Sequence, residues 1–274
     1  GEHFIEIHSV EEVFNRAAAV TMGLKEGTLV AQIHCGSRGY GRQVCADYIE
    51  RFQEVAPSYD IDPPDPNLAS VPLDSGEAED YMGAMRAAAN YAYANRQVLA
   101  HRVREVFDDL LEGAGERLKT VYDVAHNLGQ VEMHQVDGKH MRCYVHRKGA
   151  ARAFGPGTPG ISLPYRALGQ PVLVPGSMGE TSWVMLATRD AMQKSFGSAC
   201  HGAGRTMSRH EANHQAEPVP LDGDGDGVAV RSGDGSASAG VQLKENIGGV
   251  VETVAGSRLA GKVARLEPLA VMHG

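Results

Sequence analysis

One stretch of the 274-residue sequence decides how the chain is interpreted: Phe196-Gly197-Ser198-Ala199-Cys200-His201-Gly202-Ala203-Gly204-Arg205-Thr206-Met207-Ser208-Arg209. His201 stands between small residues, so a bulky ligand can approach its ring and the adjoining backbone closely. Arg205 and Arg209 follow at a spacing that places both on one face of a helix. The pattern suits a phosphate-binding site. A lone histidine is more often a structural residue, and the stretch alone leaves both interpretations open.

Composition limits the classes of protein that the chain can belong to. A hydrophobic content of 42% is enough for a real core, and we expect one domain. The net charge of −8 argues against a surface coated in positive charge, although it allows a local basic site. Such a run, from Lys139 to Arg152, has five basic residues and no acid; it is either a solvated strand face or a site for an anionic partner.

The number of cysteines and the length of the apolar runs indicate the cellular compartment. Four cysteines without paired-ligand spacing fit a reducing compartment better than a disulfide scaffold. No apolar run approaches the length of about 18 residues that spans a bilayer. We therefore expect a cytoplasmic protein.

Hydrophobic periodicity predicts mixed helices and strands without strict alternation, which indicates the α+β class. Ser9 and Glu12 form a capping-box pattern for a helix that reaches about Leu24. The segment 216–240 is low in complexity and is predicted to be a flexible loop. The further predicted helices cover 42–55, 77–112 and a segment from 249. The predicted strands are 4–8, 27–35, 118–124, 141–146, 172–174, 183–187 and 266–272, with a turn at 136–139.

Three histidines stand at or beside predicted strand ends or turns: His3, His34 and His126. Imidazole suits manganese, iron, zinc and related ions, and widely separated ligands are normal in a catalytic metal site. Because the chain has 12 histidines, spacing alone does not establish that these three converge.

Several strings, taken in order with the stretch around His201, carry a family resemblance. They resemble the RtcB family of GTP-dependent RNA ligases, over nearly the whole chain apart from 216–240. The strings are Gly1-Glu2-His3-Phe4-Ile5-Glu6-Ile7, His34-Cys35-Gly36-Ser37-Arg38-Gly39, Val121-Tyr122-Asp123-Val124-Ala125-His126-Asn127, His146-Arg147-Lys148-Gly149-Ala150-Ala151-Arg152-Ala153-Phe154-Gly155-Pro156-Gly157 and Pro175-Gly176-Ser177-Met178-Gly179-Glu180-Thr181-Ser182.

The resemblance implies a reaction and a set of partners. In the family, the histidine that matches His201 attacks the α-phosphate of GTP and carries GMP. Histidines that match His3, His34 and His126 bind Mn²⁺. The guanylate then passes to an RNA 3′-phosphate, which can arise from a 2′,3′-cyclic phosphate, and a 5′-hydroxyl displaces GMP. Some members need an activating partner, archease.

The resemblance also implies binding residues. Asn127 matches a position close to the metal, and Arg38, Lys148, Arg205 and Arg209 resemble groups that surround RNA phosphates. Glu6 could instead be a solvent-facing strand residue, the serines could be turn residues, and the basic groups could form structural ion pairs. The positions that match the family's nucleotide pocket are Glu6, Asn127, Ser177, Ser182, Ala203 and Gly204.

Three departures from the family pattern keep other functions open. Family members carry an Asp-x-Gly-Cys-Gly motif with two further metal ligands; it is absent here, and we expect that an N-terminal segment is missing. Glu2 replaces an asparagine, and His273 replaces a lysine that holds the nucleotide. The alternative interpretations are a diverged homologue that binds nucleotide or RNA without ligating or is a damaged remnant, and a metal-dependent phosphoesterase.

Overall fold

The computed structural model describes residues 3–176, 180–202, 229–232 and 247–273. The chain divides into two compact units. Unit 1 comprises Gly1–His3 and His34–Leu118, and unit 2 comprises Phe4–Ile33 and Lys119–Gly274. Helices dominate unit 1 and antiparallel strands dominate unit 2, which confirms the predicted α+β class.

The elements are numbered in chain order. The helices are α1 (Arg16–Met22), α2 (Gly39–Val55), α3 (Gly76–Leu110), α4 (Ala114–Arg117), α5 (Arg189–Lys194) and α6 (Ile247–Gly256). The strands are β1 (Phe4–Val13), β2 (Leu29–His34), β3 (Asn127–Val136), β4 (Lys139–Lys148), β5 (Ala150–Arg152), β6 (Pro171–Val174), β7 (Ser182–Ala187), β8 (Ser198–Cys200), β9 (Ala229–Ser232) and β10 (Ala260–His273).

Unit 1 is built on α2 and the 35-residue α3. Ser75 caps α3 by accepting a hydrogen bond from the Ala78 amide at 3.2 Å. An aromatic cluster of Tyr48, Phe52 and Tyr81 joins α2 to α3, with ring centroids 5.3–5.9 Å apart. Both predicted helices are therefore confirmed.

Unit 2 is organised around a sheet with strand order β2-β1-β10-β7-β6, in which β9 also pairs with β10. All six residues of β7 are buried. Val184 and Leu186 belong to one hydrophobic cluster together with α1, whereas Met185 and Ala187 belong to a second cluster together with α6. Because successive strand residues point to opposite faces, apolar clusters lie on both sides of this sheet.

Tertiary pairing changes the prediction near the N-terminus. Ser9 and Glu12 lie in β1 and pair with β10, so the helix predicted from that capping box is wrong at its start. The observed α1 is capped by Asn15, whose Oδ1 accepts from the Ala18 amide at 3.1 Å. The pairing with β10 outweighs the local capping signal.

The strand predicted at 118–124 is also wrong. The observed strand, β3, begins at Asn127 and forms a ten-pair antiparallel hairpin with β4. The predicted turn is confirmed: Asp137 and Gly138 have φ of 49° and 76°, as a two-residue hairpin turn requires.

Of the predicted loop 216–240, the described part is 229–232, which forms β9 and pairs in parallel with β10. The rest of that prediction falls outside the described residues. Within the described part of the chain, no helix is both long and apolar enough to cross a bilayer.

Candidate functional site

The rings of His126 and His201 stack in unit 2, with centroids 3.7 Å apart and planes 10° from parallel. The backbone of two residues links them: the Gly149 carbonyl accepts from the His201 amide at 3.3 Å, and the Ala150 amide donates to the His126 carbonyl at 3.2 Å. Gly149 has φ of 66°, a left-handed conformation that favours glycine. The turn between β4 and β5 therefore brings the two histidines together.

His34 is the last residue of β2 and the first residue of the second segment of unit 1. His3 directly precedes β1 and also belongs to unit 1. In unit 2, His126 and His201 are both partly buried. Neutral imidazoles suit Mn²⁺, Fe²⁺ or Zn²⁺, so each of these rings is a suitable ligand for a transition-metal ion.

A buried network lies on one face of the β3–β4 hairpin. Arg147 donates from both terminal nitrogens to Glu132, at 2.7 Å to Oε1 and 2.8 Å to Oε2. His134 Nε2 lies 2.8 Å from Glu132 Oε2. The three residues are only 7%, 8% and 2% exposed, so the ion pair is desolvated and held by directed hydrogen bonds.

The other face of the hairpin carries aromatic rings. His146 packs edge-on against Tyr144, with centroids 4.8 Å apart. Both rings lie over Gly129: a Cβ there would come within 2.4 Å of His146 Cδ2 and 2.9 Å of Tyr144 Cε1. Burial lowers the pKa of His146 below its ordinary value, because desolvation disfavours the charged ring.

The residues predicted to bind nucleotide are placed as follows. Glu6 is fully buried on β1, so the solvent-facing alternative is wrong, and its Oε2 lies 3.1 Å from His8 Nε2. Among the described residues, Glu6 Oε1 has no hydrogen-bond partner. Asn127 Oδ1 accepts from the Gly149 amide at 2.8 Å, and Ser182 Oγ accepts from the Gly176 amide at 3.1 Å. Both side chains thus stabilise backbone. Asn127 binds the turn at Gly149, beside the two stacked histidines, and Ser182 binds the amide of Gly176.

The remaining predicted residues divide into two sets. Arg38 is exposed in unit 1, where it precedes α2 with φ of 55°, and Lys148 is exposed at the end of β4. Ser177, Ala203, Gly204, Arg205 and Arg209 lie outside the described residues. Their predicted roles stay predictions.

Sequence reasoning missed the buried network of Arg147, Glu132 and His134. Arg147 was grouped with a basic run that suggested a surface, although its side chain is buried. Glu132 and His134 alternate with exposed residues on β3, a period-2 signal that would have placed them on a buried face. A glycine between two strand-like segments was the available signal for the turn at Gly149.

Comparison with known proteins gives the family. The family model described as tRNA-splicing ligase RtcB matches residues 1–274, in line with the predicted single domain. The tRNA-splicing ligase RtcB of Archaeoglobus fulgidus is 44% identical over 280 residues, covering all of this chain and 58% of that protein. That of Thermococcus kodakarensis is 42% identical over 282 residues, again all of this chain and 58% of the relative.

A eukaryotic relative, RNA-splicing ligase RtcB homolog 1 of Entamoeba dispar, is 41% identical over 281 residues, all of this chain and 52% of that protein. The chain thus spans a little over half the length of these relatives. Because the family model matches the chain from its first residue to its last, the chain belongs to the tRNA-splicing ligase RtcB family.

Proposed function

We propose that the chain acts in RNA ligation, joining a 3′-phosphate or 2′,3′-cyclic phosphate end to a 5′-hydroxyl end, as in tRNA splicing or RNA repair. GTP is the proposed cosubstrate, and GMP is carried on His201. The observation that carries the proposal is the parallel stack of His126 and His201 at 3.7 Å, in a chain that belongs to this family.

The stack suits a nucleophile beside a metal ligand. An imidazole must be neutral to bind a metal or to attack phosphorus. The hydrogen bonds at Gly149 and Ala150 fix the backbone of both residues, which limits the motion of the attacking ring.

Mn²⁺ is the proposed metal, and His34, His126 and His3 are its proposed ligands. When bound, the metal would neutralise triphosphate charge and help the pyrophosphate to leave. His201 would supply the ring nitrogen that forms the bond to the α-phosphorus. Glu6 would accept from a guanine N–H, since its buried Oε1 has no hydrogen-bond partner among the described residues and the carboxylate is oriented through His8.

RNA phosphates are the proposed ligands of Arg38, Lys148, Arg205 and Arg209. Arginine offers a planar fork for a phosphate, and lysine offers a point charge. Given the net charge of −8, RNA contacts would concentrate on such local basic groups rather than on the whole surface. We also propose a cytoplasmic location and archease as an activating partner.

A ligation assay tests the proposal with RNA oligonucleotides that differ only at the 3′ end. With GTP and Mn²⁺, donors with a 3′-phosphate or a 2′,3′-cyclic phosphate should be joined to a 5′-hydroxyl acceptor, and a 3′-hydroxyl donor should not. His201→Ala should abolish joining, whereas His140→Ala, a change on the exposed hairpin end, should not. RNA binding without joining by the parent chain would contradict the proposal and favour a non-ligating homologue.

A further inference from the structure

We propose that Arg147 is a positioning residue for His201, acting through the segment that leads into β8. The inference rests on the proposed function, because it assigns Arg147 a role in the reaction of His201. Among the described residues, the hydrogen bonds of Arg147 go to Glu132, Phe196, Gly197 and Ser198, and neither His126 nor His201 is a partner. Its effect would pass through the backbone of residues 196–200, which leads to His201, and through the pairing of β8 with β5.

The hairpin holds the guanidinium from one side. Glu132 takes one hydrogen bond from each terminal nitrogen, and His134 lies 2.8 Å from the same carboxylate. A bidentate pair of this kind fixes the plane of the guanidinium as well as its position. The direction of the remaining N–H groups is therefore set by the hairpin.

Those N–H groups point at the segment before His201. Arg147 Nε donates to Ser198 Oγ at 2.9 Å, and Nη2 donates to the Phe196 carbonyl at 2.9 Å and to the Gly197 carbonyl at 3.3 Å. The Phe196 ring also packs against His134, with centroids 5.3 Å apart. One side chain thus contacts three consecutive residues.

The contacted segment has an unusual backbone. Phe196 and Gly197 have φ of 51° and 60°, so two consecutive residues are left-handed. Such a conformation is costly for a residue with a side chain and persists only where its surroundings impose it. A Cβ at Gly197 would also lie 2.7 Å from Phe154 Cδ1. Because Arg147 binds both carbonyls, it is placed to stabilise this bend.

The bend directly precedes β8, which ends at Cys200, one residue before His201. Ser198, Ala199 and Cys200 of β8 pair with Arg152, Ala151 and Ala150 of β5. The next residue, His201, bonds to the Gly149 carbonyl, which lies two residues after Arg147. A shift of the bend would move β8 along β5 and change the stacking of His201 on His126.

Two variants separate positioning from general stability. Arg147→Lys keeps the positive charge and loses the planar guanidinium. Ser198→Ala removes the hydroxyl that accepts from Arg147 Nε and donates to the Phe196 carbonyl at 3.4 Å, and it leaves the ion pair with Glu132 intact. Arg258→Lys is the matched control, because Arg258 forms an exposed ion pair with Asp190 in the same unit. The first readout is hydrogen–deuterium exchange of 196–202 against 171–187, which needs neither GTP nor metal.

We expect exchange in 196–202 to rise about tenfold or more in Arg147→Lys and less in Ser198→Ala, with 171–187 unchanged. In the guanylylation reaction, the rate constant should fall about 10- to 100-fold, as for other supporting partners of a site. The KM for GTP should change by less than about twofold, since no nucleotide contact is removed.

Unchanged exchange in 196–202 would overturn the inference, and so would a local rise without any loss of guanylylation. If Arg147→Lys raises exchange throughout unit 2, the variant has lost general stability. The comparison then rests on Ser198→Ala, which leaves the buried ion pair in place and should raise exchange only in 196–202. If the parent chain takes up no GMP, the proposed function fails. The positioning of β8 is then judged by exchange in 196–202, which should still rise about tenfold in Arg147→Lys.

Discussion

Replacing the two buried charges of the hairpin separately and together gives the most informative stability experiment. The Arg147 and Glu132 side chains are 4% and 5% exposed. Arg147→Met would leave a buried carboxylate with His134 as its neighbour, and Glu132→Leu would leave a buried guanidinium. Removing one partner of such a pair costs about 3–5 kcal/mol. For a chain of this size that lowers the melting temperature by roughly 10 °C.

The double variant should cost no more than either single variant, because no uncompensated charge remains. Urea denaturation followed by the fluorescence of Trp183, the only tryptophan, reports on β7 in unit 2. The same substitutions at the exposed α3 pair Arg102 and Glu105 are the control, and their coupling should be about 0.5 kcal/mol or less. Additive losses at Arg147 and Glu132, or single losses below about 1 kcal/mol, would refute the reasoning.

Three further predictions concern the turn and the hairpin. Gly149→Ala should cost about 1 kcal/mol, since φ is 66° and no atom lies within 4 Å of the new Cβ, so that strain alone acts. Gly149→Asn should cost less, because asparagine tolerates this conformation; equal losses in the same denaturation assay would contradict the explanation. Gly129→Ala should cost about 1–3 kcal/mol and shift the His146 ring resonances, because the new Cβ would overlap that ring; unchanged resonances would exclude the packing described. Because burial lowers the pKa of His146, the unfolded chain binds the proton first, so its contribution to stability is present at neutral pH and is lost as the pH falls from about 7 to 5. His146→Gln should flatten the stability profile over that range, and superimposable profiles would refute the assignment.

The sheet could be predicted where hydrophobic runs were short and unambiguous. The predicted strands at 172–174 and 183–187 match β6 and β7, which are largely or fully buried. The start of helix α1 was misplaced for a physical reason: β1 continues through Ser9 and Glu12 because β10 pairs with it. A pairing between residues some 250 positions apart leaves no local signal.

The candidate site was only partly predictable for a similar reason. His126 and His201 could be selected among 12 histidines through the family strings, while the stacking of their rings depends on the turn at Gly149. Arg147 shows the opposite case. Its neighbours in sequence are basic or exposed, so the pattern indicated a surface, and only the pairing of β3 with β4 brings Glu132 beside it.

Intact-protein mass spectrometry after incubation with GTP and Mn²⁺ tests the central claim most directly. The chain should gain the mass of one guanylyl group, peptide mapping should place it on His201, and His201→Ala should gain nothing while keeping a folded circular dichroism spectrum. An adduct of the same yield on His201→Ala, or no adduct on the parent chain, would contradict the assignment of His201 as the nucleophile.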